Sequence, residues 1–428
     1  MKIIEHPSKQ AWEALLQRPD QDQSEIRHTV NQILADVKKH GDAALQNYTL
    51  ALDGVQIDDF RLPQRAMDTA SEKVDEPLKQ AIHRAAGNID KFHRAQAAGD
   101  ISTEVMPGLQ CWQKSVPIDS IGIYIPGGSA PLFSSVLMMA VPAKIAGCKN
   151  IVLVTPPDKQ GAVHPAILYA AKLSRVDNIF RIGGAQAIAA LAYGTESVPG
   201  VHKIFGPGNR FVTLAKQLVS MEGVAIDMPA GPSEVLVVAD DSAPADYIAA
   251  DLLSQAEHGS DSQVLLLSTS KKVLQDARQA IDDLLVDLPR KTTAEKALEN
   301  SRLILLSSTD EMMQMVNVYA PEHLILATRD ADKLATRVHN AGSVFMGIYT
   351  PESLGDYISG TNHVLPTNGF AVSYSGVNLD AFMKKITFQC ASKESLKQIG
   401  EDTMIMAKAE GLEAHSKAVQ LRIENDNQ

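Results

Sequence analysis

The chain has 428 residues, of which 45% are apolar and 21% are charged, and its formal net charge is −11. This length favours two or three domains, and the negative charge without a Lys/Arg block argues against nucleic acid as a partner. Residues 1–15 lack the apolar core of a signal peptide, and the most apolar stretch, residues 131–147, is too short to span a membrane.

Residues 1 to about 100 are predicted to be helical, with no strand. Apolar side chains in residues 24–39 recur near the period of roughly 3.6 residues that an amphipathic helix requires. Residues 66–97 show a longer pattern of the same kind. We therefore expect the chain to begin with a helical segment.

From about Val116, short β-branched segments alternate with helical ones. The predicted strands of this first series are residues 120–125, 150–155 and 178–182. The predicted helices are residues 132–146, ended by Gly147, 164–173 and 185–193. Such alternation indicates a parallel sheet with helices on both faces.

After a pause at residues 225–233, a second series begins. Its predicted strands are residues 234–239, 262–267, 302–306, 324–327 and 343–346. Its predicted helices are residues 244–258, capped by Asp241 or Ser242, and 271–285, 310–319 and 331–340. Residues 347–380 read as a polar loop and residues 393–423 as helix. The two series predict two sheet domains, which an internal duplication would explain.

Three glycine turns follow predicted strands, at residues 124–129, 183–186 and 205–209. Ligands of parallel sheets sit beyond the carboxyl ends of strands, where loops meet helix N-termini. Each turn alone is explained by positive φ or close packing, and the G-x-G-x-x-G fingerprint is absent. Together, the three turns favour a shared phosphate or ribose site.

Side chains that bind metals are scattered through the second half of the chain. Gln255 and His258 end one predicted helix, three residues apart, and are expected to face one cavity. Imidazole suits zinc, whereas a Gln amide oxygen is a less usual ligand. A histidine favoured by the negative helix end is the alternative. Further candidates, among which spacing does not choose, are Asp356, His363, Glu410 and His415.

Glu322 and His323 form the clearest acid/base pair. Pro321 ends the preceding helix, so the pair lies where a helix gives way to a strand. An imidazole with a pKa of about 6.5 is suited to accept a proton at neutral pH. The neighbouring carboxylate would stabilise the charged imidazole or activate a water molecule.

Seven motifs taken together resemble those of the histidinol dehydrogenase family. They occur in family order within a resemblance that runs from about residue 20 to 423. The motifs are Gly-Ile-Tyr-Ile-Pro-Gly-Gly-Ser-Ala-Pro-Leu, Gly-Gly-Ala-Gln-Ala-Ile-Ala-Ala-Leu-Ala, Gly-Pro-Gly-Asn, Ala-Gly-Pro-Ser-Glu, Asp-Leu-Leu-Ser-Gln-Ala-Glu-His-Gly, Ala-Pro-Glu-His-Leu and Ser-Gly-Thr-Asn-His-Val-Leu-Pro-Thr. The resemblance implies an enzyme that uses NAD and zinc to oxidise L-histidinol, through L-histidinaldehyde, to L-histidine, in the last steps of histidine biosynthesis.

The resemblance also implies roles for individual residues. The zinc ligands, one ion per subunit, would be Gln255, His258, Asp356 and His415. The NAD contacts would be Tyr124, Gln186 and Asn209. Substrate contacts would be the zinc ligands with Ser233, His323, His363 and Glu410. His323 would be the general base for alcohol oxidation, and Glu322 would activate the water that hydrates the aldehyde.

The fold implied by the resemblance is α/β, with two incomplete Rossmann-like parallel-sheet domains and helical N- and C-terminal extensions. Residues 1–110 would form the N-terminal extension, residues 111–232 the domain with the NAD turns, and residues 233–380 the domain with the metal and acid/base residues. Residues 381–428 would be a helical extension that is exchanged in a homodimer. That exchange would carry Glu410 and His415 to the partner's active site.

Other interpretations stay open. Cys111, Cys148 and Cys390 are isolated, which argues against a disulfide framework and fits a reducing cytoplasm. A thiol route through Cys111 or Cys148, as in aldehyde dehydrogenases, is chemically possible for the second oxidation. A metabolite-binding module would explain the turns but leave Glu322 and His323 without a role. A zinc hydrolase would act without NAD.

Overall fold

The computed structural model describes residues 1–19, 24–127, 130–176, 178–229 and 231–424. Two positions of the first glycine turn, Gly128 and Ser129, lie outside the described residues, as does Ala230 in one of the quoted motifs. The chain divides into two compact units. The first comprises Met1–Gln96 and Ile118–Phe382, and the second comprises Ala97–Pro117 and the chain from Met383 onward. Among the described helices, none combines the length and apolarity needed to cross a membrane.

The described residues form strands and helices along the whole chain. The strands are β1 Lys2–Glu5, β2 Ile101–Met106, β3 Leu109–Pro117, β4 Ser120–Tyr124, β5 Asn150–Thr155, β6 Asn178–Arg181, β7 Lys203–Phe205, β8 Ala225–Ile226, β9 Glu234–Ala239, β10 Gln263–Ser268, β11 Arg302–Leu305, β12 His323–Ala327, β13 Ser343–Met346 and β14 Met383–Ala391. The helices are α1 Lys9–Leu15, α2 Ser24–Asp53, α3 Gln64–Lys73, α4 Glu76–Ala95, α5 Phe133–Ala146, α6 Pro165–Leu173, α7 Gly184–Tyr193, α8 Arg210–Ser220, α9 Ala245–Ala256, α10 Lys271–Leu284, α11 Lys291–Glu299, α12 Thr309–Tyr319, α13 Ala331–Ala335, α14 Glu352–Tyr357, α15 Lys393–Ala409 and α16 Glu413–Glu424.

The first sheet is five-stranded and parallel, in the order β6-β5-β4-β7-β8. Strands β4 and β5 are buried along almost their whole length, as expected for central parallel strands covered on both faces. On one face, α7 packs against α2 and α8 around an apolar core. This sheet presents the carboxyl ends of β4, β6 and β7 to the three glycine turns.

The second sheet is six-stranded and parallel, in the order β1-β11-β10-β9-β12-β13. Side chains of its central strand β9 alternate between two cores. Val235 and Val237 enter the core on one face, whereas Leu236 and Val238 enter the core on the other. Burial on both faces fixes the register that pairs His323 of β12 with Val235 of β9.

The second unit contains an antiparallel sheet in the order β14-β3-β2, together with α15 and α16, which pack against each other. Trp112 of β3 stacks on Phe388 of β14, with ring centroids 5.3 Å apart. Most side chains of β2 and β14 are exposed in the single chain.

The predicted α/β architecture with two parallel sheets is confirmed. Strands β5, β9 and β13 have the bounds that the sequence predicts. Helix α5 ends at Gly147, which adopts the left-handed conformation.

Three predictions about strands at the ends of the chain are wrong. Residues 1–100 do contain a strand, because β1 pairs with β11 at the edge of the second sheet. Residues 1–110 are not wholly helical, since β2 and the start of β3 lie there, and residues 381–428 include β14. The sequence does not predict these strands for two reasons. Strand β1 is short and charged at both ends, and β2 and β14 lack a buried face that would require apolar and polar residues to alternate.

Four predictions about helices also need correction. Residues 66–97 form two helices, because Asp75 caps the N-terminus of α4 with its side chain. Neither Asp241 nor Ser242 caps α9, since the turn before it is closed by the Asp240 carboxylate, which accepts hydrogen bonds from Ser242. The helix predicted at 331–340 ends at Ala335. Helix α14 interrupts the loop predicted at 347–380.

Candidate active site

The polar cluster of the second sheet lies at the amino ends of β9 and β12. Strand β9 begins at Glu234 and β12 begins at His323, and the two strands are parallel neighbours. The C-terminal end of α9 brings Gln255 to the same place. Parallel pairing therefore brings together side chains that are far apart in sequence.

The backbone of Glu234 is the common hydrogen-bonding partner of this cluster. Its N–H donates to Glu322 Oε2 at 2.8 Å. Its carbonyl oxygen accepts from Gln255 Nε2 and from His323 Nδ1, each at 3.2 Å. Gln255 Nε2 also donates to Glu322 Oε2 at 3.3 Å. His323 Nδ1 also lies 3.1 Å from Gln255 Nε2, so this ring nitrogen faces both an acceptor and a donor.

Two atoms at the centre of the cluster have no hydrogen-bond partner among the described residues. They are Gln255 Oε1 and His323 Nε2, both buried. The nearest anionic group to His323 Nε2 is Asp356 Oδ1, at 3.6 Å. Buried polar atoms normally have a hydrogen-bond partner, so two unpaired atoms in one buried cluster indicate a place where a ligand could bind.

Asp356 lies on the short helix α14, not in a loop. This helix approaches β13 closely at Gly355, where a Cβ atom would lie 2.6 Å from the Phe345 ring. One turn before Asp356, Glu352 is buried, and neither of its carboxyl oxygens has a partner among the described residues. Sequence reasoning missed Glu352 because nothing in a short, polar segment indicates burial.

The charges of this cluster are strongly coupled. Burial lowers the pKa of His323, but the carboxyl groups of Glu352, Glu322 and Asp356 outweigh it and raise this pKa to about 10. Burial raises the pKa of Glu322 and of Glu352 to about 8 each, despite the nearby imidazole. The imidazole and the carboxyl groups therefore compete for the same proton. We interpret the cluster as one in which His323 and its carboxyl neighbours share that proton.

The other predicted residues of the second sheet lie around this cluster. His363 Nδ1 donates to the Asp356 carbonyl oxygen at 2.8 Å, and its Nε2 lies 3.0 Å from Ser135 Oγ on α5. His258 follows α9, and the residue as a whole is exposed in the single chain. Burial of its ring nevertheless lowers the pKa of His258, and the nearby Asp356 carboxylate opposes that decrease. Ser233 is half-buried immediately before β9.

The remaining two candidates, Glu410 and His415, belong to the second unit. Glu410 ends α15 and His415 lies in α16, and both are exposed in the single chain. Among the described residues of this chain, no three His, Cys, Asp or Glu side chains form a group that would hold a metal ion. The unpaired Gln255 Oε1, with His258 and Asp356 close to His323, offers an incomplete set of oxygen and nitrogen donors of the kind that zinc accepts.

A cavity of about 910 Å³ lies beyond the carboxyl ends of the first sheet's strands. It is lined by all three residues predicted to contact NAD, Tyr124, Gln186 and Asn209. The Tyr124 hydroxyl accepts a hydrogen bond from Gly184 N–H at 3.2 Å. Asn209 caps α8, and its Oδ1 accepts from the backbone N–H groups of Phe211 and Val212, at 3.0 and 3.1 Å.

A buried ion pair that sequence reasoning missed holds the loop before Asn209. Lys216 pairs with Asp227, and their side chains are 5% and 2% exposed. Lys216 Nζ donates to the Gly206 carbonyl, and Gly206 N–H donates to Asp227, both at 2.8 Å. Gly206 has φ of +122°, and a Cβ there would lie 2.1 Å from the Tyr124 carbonyl oxygen. The loop is therefore held from both sides next to the cavity.

The chain is an α/β protein with two parallel sheets, a cavity beyond one of them and a buried histidine–carboxyl cluster at the other. The sequence profile described as histidinol dehydrogenase matches residues 16–423. The histidinol dehydrogenase of Bacteroides thetaiotaomicron is 54% identical over 99% of both chains, and that of Xanthomonas axonopodis pv. citri is 51% identical over 93% of this chain and 92% of its own.

The crystal structure of histidinol dehydrogenase from Elizabethkingia anophelis superposes with a TM-score of 0.98. It is 49% identical in sequence, and the match covers 100% of this chain and 99% of that one. The chain belongs to the histidinol dehydrogenase family, a family of oxidoreductases.

The buried pair at Gly206 yields a stability prediction. Lys216→Met is expected to lower the free energy of unfolding by about 3–5 kcal/mol, because it leaves Asp227 buried without its partner. The matched control is Lys149→Met, whose pair with Asp119 is 79% and 57% exposed and contributes at most about 1 kcal/mol. Urea denaturation measures both. Equal losses in the two variants would contradict the assignment.

Proposed function

We propose that this protein is a cytoplasmic histidinol dehydrogenase that oxidises L-histidinol through L-histidinaldehyde to L-histidine, reducing two NAD⁺ in the final steps of histidine biosynthesis. The observation that carries the proposal is the buried Glu322–His323 pair, joined through the Glu234 backbone to Gln255, in a chain of this family. A binding module would have no use for such a pair.

His323 is the proposed general base for the alcohol. Oxidation of an alcohol releases a hydride and a proton, and His323 Nε2 is the unpaired nitrogen that takes the proton. Nδ1 contacts the Glu234 carbonyl oxygen and Gln255 Nε2, and these contacts hold the ring in place. The carboxyl groups of Glu352, Glu322 and Asp356 raise the pKa of His323 to about 10. A zinc ion held by Asp356 would oppose that rise and favour the neutral imidazole, which is the form that accepts a proton.

Glu322 is the proposed activator of water in the second oxidation, which requires the aldehyde to be hydrated. Its Oε2 is held by the Glu234 N–H at 2.8 Å, so the carboxyl group has a fixed orientation. Burial raises its pKa to about 8. A pKa close to the working pH suits a group that must both accept and return a proton.

The proposed zinc ligands are Gln255, His258 and Asp356, completed by His415 of the partner subunit, with one zinc ion per subunit. When bound, zinc would hold the substrate's amine and imidazole nitrogens and so position its alcohol carbon. The unpaired Gln255 Oε1 supports this assignment, because its Nε2 is already committed to Glu234 and Glu322. Further substrate contacts are proposed for Ser233, His363 and the partner's Glu410.

NAD is proposed to bind in the cavity of the first sheet. Its volume suits a large cofactor, and it lies where parallel sheets bind nucleotides. Tyr124, Gln186 and Asn209 would contact it. Gln186 is buried, and its Oε1 has no partner among the described residues, so this oxygen is available to a ligand donor.

The alternative thiol route has little support. Burial raises the pKa of the Cys148 thiol to about 11, which leaves it protonated and a poor nucleophile. Cys111 belongs to β3 of the antiparallel sheet in the second unit. Neither observation favours a covalent intermediate.

The two catalytic roles can be separated by supplying each substrate in turn. Glu322→Gln is expected to slow oxidation of supplied histidinaldehyde by about 10²–10⁴-fold, because the amide cannot accept a proton from water. His323→Asn is expected to slow histidinol oxidation more than aldehyde oxidation. NADH formation with each substrate measures both, and exposed Glu299→Gln is the control. Unchanged aldehyde oxidation in Glu322→Gln would refute its role.

Metal content tests the ligand set independently of turnover. His258→Asn and Asp356→Asn are expected to purify with less than about a tenth of the wild-type zinc, because each removes a proposed ligand. Zinc analysis after gel filtration measures this, again with Glu299→Gln as control. Chelation should abolish NADH formation and added zinc should restore it. Full zinc content in both variants would rule out this set.

Mixed dimers test whether two chains share each site. If His415 acts in the partner's site, His323→Asn and His415→Asn chains, denatured and refolded together, should recover about a quarter of wild-type activity, since half of the dimers hold one intact site. The control mixture, His323→Asn with Asp356→Asn, should recover none, because both changes fall within the same chain's site. No recovery in the first mixture would contradict the shared site.

A further inference from the structure

A single guanidinium group ties together the two segments that carry the catalytic residues. Arg18 Nε and Nη2 donate to the two carboxyl oxygens of Glu234, at 2.5 and 2.8 Å. Arg18 Nη2 also donates to the carbonyl oxygen of Tyr319 at 2.7 Å. Tyr319 ends α12, three residues before Glu322. Arg18 thus contacts the start of β9 and the chain that leads into β12.

This contact is buried and specific. The side chains of Arg18 and Glu234 are 15% and 2% exposed. The guanidinium carbon lies 4.1 Å from the centroid of the Tyr319 ring, and the Tyr319 hydroxyl donates to Gln263 Oε1 at 2.9 Å. Glu234 Oε1 accepts a further hydrogen bond from Asn368 N–H at 2.7 Å. A planar cation that makes a bidentate pair and a ring stack is held in one orientation.

Glu234 connects this ion pair to the catalytic cluster through its own backbone. Its side chain is fixed by Arg18, while its N–H and carbonyl hold Glu322, Gln255 and His323. Neither Arg18 nor the Glu234 carboxylate makes any of these catalytic contacts itself. A small shift of the Glu234 backbone would therefore displace both catalytic groups together.

We propose that Arg18 and the Glu234 carboxylate are positioning residues that fix the backbone of Glu234 and, through its N–H and carbonyl groups, the positions of Glu322 and His323. This proposal rests on the proposed function of that pair. Its consequence is that both oxidation steps depend on an arginine outside the catalytic cluster. Displacements of about 1 Å at a reacting group can slow a reaction by about 10²-fold, so the effect is measurable.

The experiment compares Arg18→Met, Arg18→Lys and Glu234→Gln with Arg337→Met. Arg337 pairs with Asp310, and their side chains are 40% and 74% exposed, so its loss is the matched control. In the zinc-loaded enzyme, kcat per bound zinc is expected to fall about 10- to 100-fold in Arg18→Met and Glu234→Gln, for both substrates, with a smaller change in KM. Arg18→Lys should retain more activity than Arg18→Met, because it keeps the charge.

Two further measurements separate positioning from simple stability. The double variant Arg18→Met/Glu234→Gln should lose no more than either single variant, since both changes act through the backbone of Glu234. Added guanidinium ion at non-denaturing concentration should raise the kcat of an Arg18→Ala variant several-fold, whereas sodium chloride should not. A structural role would give lower unfolding midpoints with unchanged kcat per bound zinc.

The outcomes are distinguishable. Wild-type levels of kcat per zinc in Arg18→Met and Glu234→Gln, in a wild-type enzyme that does oxidise histidinol, would overturn the positioning role alone. If the wild-type protein fails to form NADH from histidinol, the proposed function itself falls. Should Arg18→Met fail to fold, Glu234→Gln and Arg18→Lys decide the matter, because both preserve the size of the original side chain more closely.

Discussion

The parallel pairing of β9 with β12 is the interaction on which the candidate active site depends. The register that sets His323 opposite Val235 brings the backbone of Glu234 against Glu322 and His323. That register is enforced from both faces of the sheet, since alternate residues of β9 enter different apolar cores. A slip by one residue would expose each set of side chains to the wrong core. Packing at a distance from this cluster thus determines where Glu322 and His323 lie.

The two parallel sheets present opposite ends to their sites. Around the first sheet, strand carboxyl ends meet the N-termini of helices such as α7 and α8, whose positive dipole ends favour anions such as phosphate. At the second sheet, the amino ends of β9 and β12 meet the C-terminal end of α9, whose carbonyls favour cations. This difference supports the two separate binding sites of the proposed function, with a dinucleotide at one sheet and a metal ion at the other.

The sequence predicts the fold where local and long-range preferences agree. Fully buried strands such as β5 and β9 read as uninterrupted apolar segments between turns, and their bounds are correct. Strands β1 and β14 were missed because pairing with a distant strand creates them, not their own pattern. The same limit applies to the site. Gln255, His258 and His323 are recognisable as candidates by residue type. A role for Arg18 and Glu234 becomes evident only from their contact, which joins residues more than two hundred positions apart in the sequence.

Unsatisfied polar groups are concentrated around His323. Gln255 Oε1, His323 Nε2 and both oxygens of Glu352 are buried without partners among the described residues, and Glu322 and Asp356 add further acidic groups. An apolar replacement of such a cluster would generally favour folding, because burying unpaired charge is costly. Natural proteins depart from such stabilising choices mainly at functional sites. Under the proposed function, a cation held by Asp356 would offset the carboxyl charge and lower the raised pKa of His323. The groups that are costly to bury are therefore the same groups that are proposed to bind the cation and move protons.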